Sequence, residues 1–144
     1  MEKKFTLTDE TMQFEGKTLY RIKALKSFGN VKKYDLGGWV ESEDNLSQYG
    51  NCWIYNEAKV MDNALVHEDA QVSGHAEISD EASIFGTSWV WHNAKISGNA
   101  EIYENANIGG YVKICGHIRV ANNSRIYGET KINGDTIICD LHIS

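Results

Sequence analysis

From Asn45 onward, apolar and polar positions recur every six residues. Cut in sixes, the chain reads NLSQYG, NCWIYN, EAKVMD, NALVHE, DAQVSG, HAEISD, EASIFG, TSWVWH, NAKISG, NAEIYE, NANIGG, YVKICG, HIRVAN, NSRIYG, ETKING, DTIICD, sixteen units without an insertion. The fourth place is Val or Ile in every unit but the first, which has Gln48. The second place is small in thirteen units, the exceptions being Leu46, Val112 and Ile118. The sixth is Gly, Asn or Asp in thirteen, the exceptions being Glu68, His92 and Glu104.

Each preference has a physical cause. Places two to five alternate as a short strand must, so places two and four share one side. Val and Ile suit a buried strand, and a small second residue lets the chain turn inside a narrow core. Gly, Asn and Asp tolerate the positive φ that a corner demands. An α-helix is excluded, because its apolar stripe returns every 3.6 residues. A strand-forming period kept this long predicts a parallel β-helix over 45–144. Residues 1–44 lack the repeat. Lys4–Leu7 and Met12–Phe14 alternate, Glu15-Gly16-Lys17 reads as a turn, and Leu19–Leu25 alternates again, which predicts a β hairpin capping the solenoid end. The apolar run Ile137-Ile138-Cys139-Asp140-Leu141-His142-Ile143 predicts an uncovered far end.

The units Val72-Ser73-Gly74-His75-Ala76-Glu77 and Ile96-Ser97-Gly98-Asn99-Ala100-Glu101 resemble the hexapeptide repeats of left-handed β-helices. The stretches Asp35-Leu36-Gly37-Gly38-Trp39-Val40-Glu41, Asn45-Leu46-Ser47 and Asn51-Cys52-Trp53 resemble YdcK-like and phage-associated hexapeptide-repeat proteins, a likeness running from about Leu19 to the C-terminus. The resemblance implies a single-stranded, left-handed triangular prism with three units per coil. Sixteen units then make about five coils, and stacked strands give a height of about 25 Å.

Coils of 18 residues stack outward side chains in columns. Face A takes Tyr49, His67, Phe85 and Tyr103; face B takes Trp53, Tyr55, Gln71, Ser73, Trp89, Trp91 and Tyr127; face C takes Lys59, Lys95, Lys113 and Lys131. The aromatic columns on A and B fit cross-strand ring packing, a face covered by another subunit or by the N-terminal segment, or a partner or ligand surface. Tyr49, Trp53, Tyr55, Phe85, Trp89, Trp91, Tyr103 and Tyr127 are the candidate contact residues there, and Leu141 and Ile143 at the apolar end.

Charge sharpens the picture. Residues 45–104 hold 9 acidic and 2 basic side chains, whereas residues 1–44 balance at 8 and 8. Asp62, Asp80 and Glu81 gather on one corner, and Glu68, Asp69 and Glu104 on the next. This acidic ridge disfavours direct nucleic-acid binding and favours a protein partner with a basic surface. The mobile-element side of the resemblance implies an inhibitor of a host defence complex, such as a CRISPR effector, that occupies such a surface.

Catalysis is expected to be absent. Many hexapeptide-repeat proteins are acyltransferases that use a histidine base and pockets built from projecting loops. This chain has His67, His75, His92, His117 and His142 but no loop insertion among its units. Acyl transfer is the alternative reading, and a self-assembling structural protein the third. No cofactor or metal site is predicted, since Cys52, Cys115 and Cys139 lie far from any ligand-spaced partner. Three unpaired cysteines and no apolar run of spanning length predict a cytoplasmic, non-membrane protein. A homo-oligomer is expected, either a dimer through the C-terminal end or a trimer.

Overall fold

The computed structural model describes residues 2–143. It is all-β, a solenoid of about six coils with three parallel sheets and antiparallel strands at the N-terminus. The strands of the coils are mostly two residues long, and each pairs in parallel with its equivalent in the next coil. Trp89–Val90, for example, lies between Gln71–Val72 and Asn107–Ile108. The N–H of Trp89 donates to the carbonyl of Ala106 at 2.9 Å, and that of Trp91 to Ile108 at 2.9 Å. Such ladders leave no place for proline, and the sequence has none.

Places two and four point inward from Cys52 to Ile126, but the first unit is out of register: Leu46 and not Gln48 meets Val66, 20 positions on, and Gln48 is not buried. Ala58, Val60, Ala64, Val66 and their counterparts up to Ile126 form one buried column. The corner also follows the pattern. Asn56, Asp62, Glu68, Asp80, His92 and Glu104 all have φ between 55 and 61°. The three residues outside the Gly/Asn/Asp preference therefore adopt the same left-handed turn, at a cost of roughly 1–2 kcal/mol each.

The near end is more elaborate than a hairpin set beside the repeat. β1 (Phe5–Phe14) and β2 (Lys17–Ala24) pair antiparallel through a tight turn in which Glu15 and Gly16 both have positive φ. β3 (Leu36–Val40) pairs antiparallel with β2 but parallel with Lys59–Val60. Parallel stacking thus begins at Trp39, ahead of the first six-residue unit, so there are about six coils and not five. Gly37 and Gly38 permit this. A Cβ on either would sit 2.5–2.6 Å from the carbonyl oxygen of Ile54 or Ala58. Asn45, fully buried, closes the first corner: its Oδ1 accepts from the N–H of Glu41 and Ser42, and its Nδ2 donates to Asp62 and Ala64 carbonyls.

The cap is pinned by two cations. Arg21 lies over the Trp39 ring at 4.3 Å and pairs with Glu57 at 3.1 Å. Lys4 is completely buried. Its ammonium donates to the Cys52 carbonyl at 2.8 Å and reaches the Gly50 carbonyl at 3.3 Å and Cys52 Sγ at 3.3 Å. Burial lowers the Lys4 pKa and raises that of the Cys52 thiol. The amine therefore closes the last carbonyls of the first coil where no further strand can.

The far end differs. Ile132, Ile138 and Ile143 are only half-buried against the core, and Ile137 is 63% exposed. The final coil is also one residue short. Arg125 pairs with His142, 17 positions on, where the coils from Trp53 onward pair 18 apart and the first coil 20 apart. No helix among the described residues is long and apolar enough to cross a membrane.

Candidate functional site

Face A carries an ordered ring column. His67 stacks on Phe85 with centroids 4.8 Å apart, and Phe85 on Tyr103 at 5.1 Å and 6° between planes. The period had placed His67, Phe85 and Tyr103 together. It had not drawn attention to Ser83, whose Oγ lies 3.1 Å from His67 Nε2. Partial burial lowers the His67 pKa, against a weaker opposing pull from Glu68, which favours the uncharged imidazole. Tyr49, expected at the head of this column, is out of register with it, because Leu46 pairs with Val66 twenty positions on, and its side chain stands 66% exposed.

Face B departs from expectation at its first member. Trp53 is buried, not outward and available: Phe5 meets its ring at 6.3 Å and Phe28 at 5.3 Å, both edge-on. The N-terminal segment covers it, so no partner reaches it while the cap is in place. The next members are surface groups. Trp89 is 44% exposed and Tyr55 half-buried. The Trp89 indole N–H donates to Ser73 Oγ at 3.0 Å, and the Trp91 indole N–H donates to Asn107 Oδ1. Trp91 leans over Gly109, where any Cβ would fall 2.3 Å from the ring, and reaches Tyr127 at 5.5 Å. Trp89 and Trp91 sit 5.7 Å apart. Tyr111, which the columns did not single out because it occupies a corner, packs edge-on against His92 at 5.4 Å.

The acidic corners stack as read, but their carboxylates are partly committed. Asp62 Oδ2 accepts from the N–H of Asp80, and Asp80 Oδ2 from the N–H of Gly98. Glu68 Oε1 accepts from Gly86, and Asp69 Oδ1 from Asn51. Lys17 pairs with Asp62 at 3.4 Å, Asn63 donates to Glu81 at 3.2 Å, and Glu104 takes a corner φ of 55°. An acid at place six thus staples its coil to the next. Leu141 and Ile143 lie on the last coil, Leu141 exposed and Ile143 paired with Ile126.

Cys52 is buried, while Cys115 and Cys139 are exposed and unpaired. Among the described residues, no three His, Cys, Asp or Glu side chains converge as metal ligands would.

No protein-family model matches the chain. It is similar to the protein described as "Uncharacterized acetyltransferase YdcK" of Escherichia coli (strain K12), 32% identical over 81 residues. The match covers 51% of this chain and 23% of that relative. The chain is therefore a β-solenoid distantly related to a protein named as an acetyltransferase, of which it spans less than a quarter.

Proposed function

We propose that this solenoid is an acyl-transfer module of the hexapeptide class, with His67 as its general base. The observation that carries the reading is the His67 imidazole held with Nε2 3.1 Å from the Ser83 hydroxyl. A base must be unprotonated and within hydrogen-bond reach of the proton it takes. With Nε2 unprotonated, the Ser83 O–H donates to it and marks where an acceptor hydroxyl or amine binds. The acceptor's oxygen or nitrogen attacks an acyl thioester, His67 takes the acceptor proton, and the imidazolium returns it to the departing thiolate. Phe85 fixes the ring plane by stacking. Face A is open, so enclosure of the donor is supplied by a second copy or by chain beyond this solenoid. The distant likeness to a protein named as an acetyltransferase supports this reading above the non-catalytic one.

The test is thiol release from acetyl-CoA with hydroxyl and amine acceptors. Wild type is expected to release thiol above the hydrolytic background, and His67→Asn to fall to that background. Absence of both acetyl-CoA binding and thiol release overturns the reading.

A second reading, a non-catalytic scaffold, is favoured by the charge of the middle coils. Glu81, Glu104 and Asp69 are exposed in a stretch carrying 9 acids against 2 bases. Such a ridge fits a basic protein surface, including a nucleic-acid-binding surface of a defence complex. Glu81→Lys with Glu104→Lys then abolishes capture of that partner and leaves any acyl transfer unchanged.

A further inference from the structure

We propose that the groove between the Phe28–Val31 turn and face B binds a neutral saccharide stacked on Trp89. This site is separate from His67 on face A and does not depend on the acyl-transfer reading.

The groove has two overlapping lobes of about 320 and 330 Å³ that share Asn30, Gln71 and Trp89. Each lobe lies in the size range of small-molecule sites. Its overhang is rigid. Phe28 and Val31 exchange backbone hydrogen bonds of 3.0 and 2.8 Å around Gly29, and Phe28 is wedged on the buried Trp53. Its floor is rigid too, because face B is a paired sheet and the Trp89 indole is tethered to Ser73. Preorganised walls spare a ligand the cost of ordering them.

The chemistry of the lining selects the ligand. The side-chain amides of Asn30 and Gln71 make no hydrogen bond among the described residues, so each offers donors and an acceptor. They flank an aromatic ring that is nearly half exposed. A pyranose presents the complement: a face of C–H groups for the ring and a rim of hydroxyls that both donate and accept. One lobe adds Tyr55 and Asn56, the other Thr87 and the carboxylate of Asp69. No Lys or Arg lines either lobe, so phosphorylated, sulfated and sialylated ligands find no counter-charge and meet Asp69 instead. An extended peptide is disfavoured because each inner strand of face B is already paired on both sides, leaving no backbone edge to join.

The experiment applies the full chain to an array of neutral and acidic glycans. Retained glycans are then titrated by tryptophan fluorescence and ligand-observed NMR. Wild type is expected to retain at least one neutral glycan and no acidic one. Trp89→Ala is expected to weaken that binding by about tenfold or more, and Gln71→Ala by a few-fold. Trp89→Tyr, which keeps a ring, should retain part of the affinity and serves if Trp89→Ala misfolds by circular dichroism. Retention of no neutral glycan, with no NMR contact at millimolar free sugar, overturns the proposal. So does retention unaffected by Trp89→Tyr and Gln71→Ala, or a preference for acidic glycans or peptides.

Discussion

The two ends of the solenoid solve the same problem with unequal means. At the near end, β1, β2 and β3 extend one sheet, the Phe28–Val31 turn covers Trp53, and Lys4 closes the last carbonyls. At the far end, among the described residues, Lys131–Ile132, Asp135–Cys139 and His142–Ile143 each have a neighbour on one side only. Ile132, Ile138 and Ile143 are only partly buried, whereas Ile114, Val120 and Ile126, their counterparts one coil earlier, are fully buried. A repeat buries its flanks by copying itself, but it cannot bury its own end. Covering an end takes sequence that breaks the pattern, and the near end has it.

Three substitutions test this contrast, beginning with a reference in the middle. Ile96→Asp places an unpaired charge in a core packed from both sides, and the protein is expected not to accumulate in soluble form. A stable Ile96→Asp protein would refute the assignment of the inward column. At the capped end, Trp53→Ala should cost roughly 3–5 kcal/mol in urea unfolding, since it empties the space under Phe5 and Phe28. Ile138→Ala at the open end removes a half-buried side chain and should cost about 1 kcal/mol, well below the cost of burying it fully. Equal losses at the two positions would mean that the far end is covered in solution.

That possibility has its own measurement. We expect the far end to pair with that of a second copy about a twofold axis, the commonest oligomer symmetry. Leu141→Lys with Ile143→Lys should then convert a dimer to a monomer by light scattering. A wild type that is monomeric at high micromolar concentration excludes this pairing. The smallest effect concerns pH. Because burial lowers the His67 pKa, the unfolded chain holds the extra proton more readily than the folded one does. Stability is therefore expected to fall slightly as pH drops through the ordinary histidine range of about 6.5 toward the lower folded value. His67→Gln should flatten that slope, and an NMR titration of His67 midpoint above 6.5 would contradict it.

Much of this was legible in advance because the period is a register. Counting in eighteens put Ile78, Ile96 and Ile114 in one inward stack and Phe85 beside Tyr103. It also put Ser83 and His67 in one face, although a pair 16 residues apart escapes notice when columns are read straight up. What stayed hidden lies where counting fails. Leu36–Val40 belongs to the first coil but falls outside the six-residue count, because Trp39 pairs with Lys59 twenty positions on, two residues out of step with the later coils. Trp53 obeys the outward place yet is buried, since a segment outside the repeat folds over it. A buried ammonium such as Lys4 is rare enough that no pattern points to it. The corner acids looked like a surface charge feature, and their bonds to the next coil's N–H groups appear only in three dimensions.

The corner after Asp140, one residue short, shows how such a chain can change through evolution. An insertion of 18 residues adds a rung about 4.8 Å deep and leaves every face as it was. An insertion of six after Glu77 keeps the core intact but rotates all later side chains by one face, which would set Trp89 above Glu77 on face C. Relatives of very different length can therefore share one fold and one core while displaying unrelated surfaces. For this architecture, alignment in whole turns, more than percentage identity, decides whether two members carry the same site.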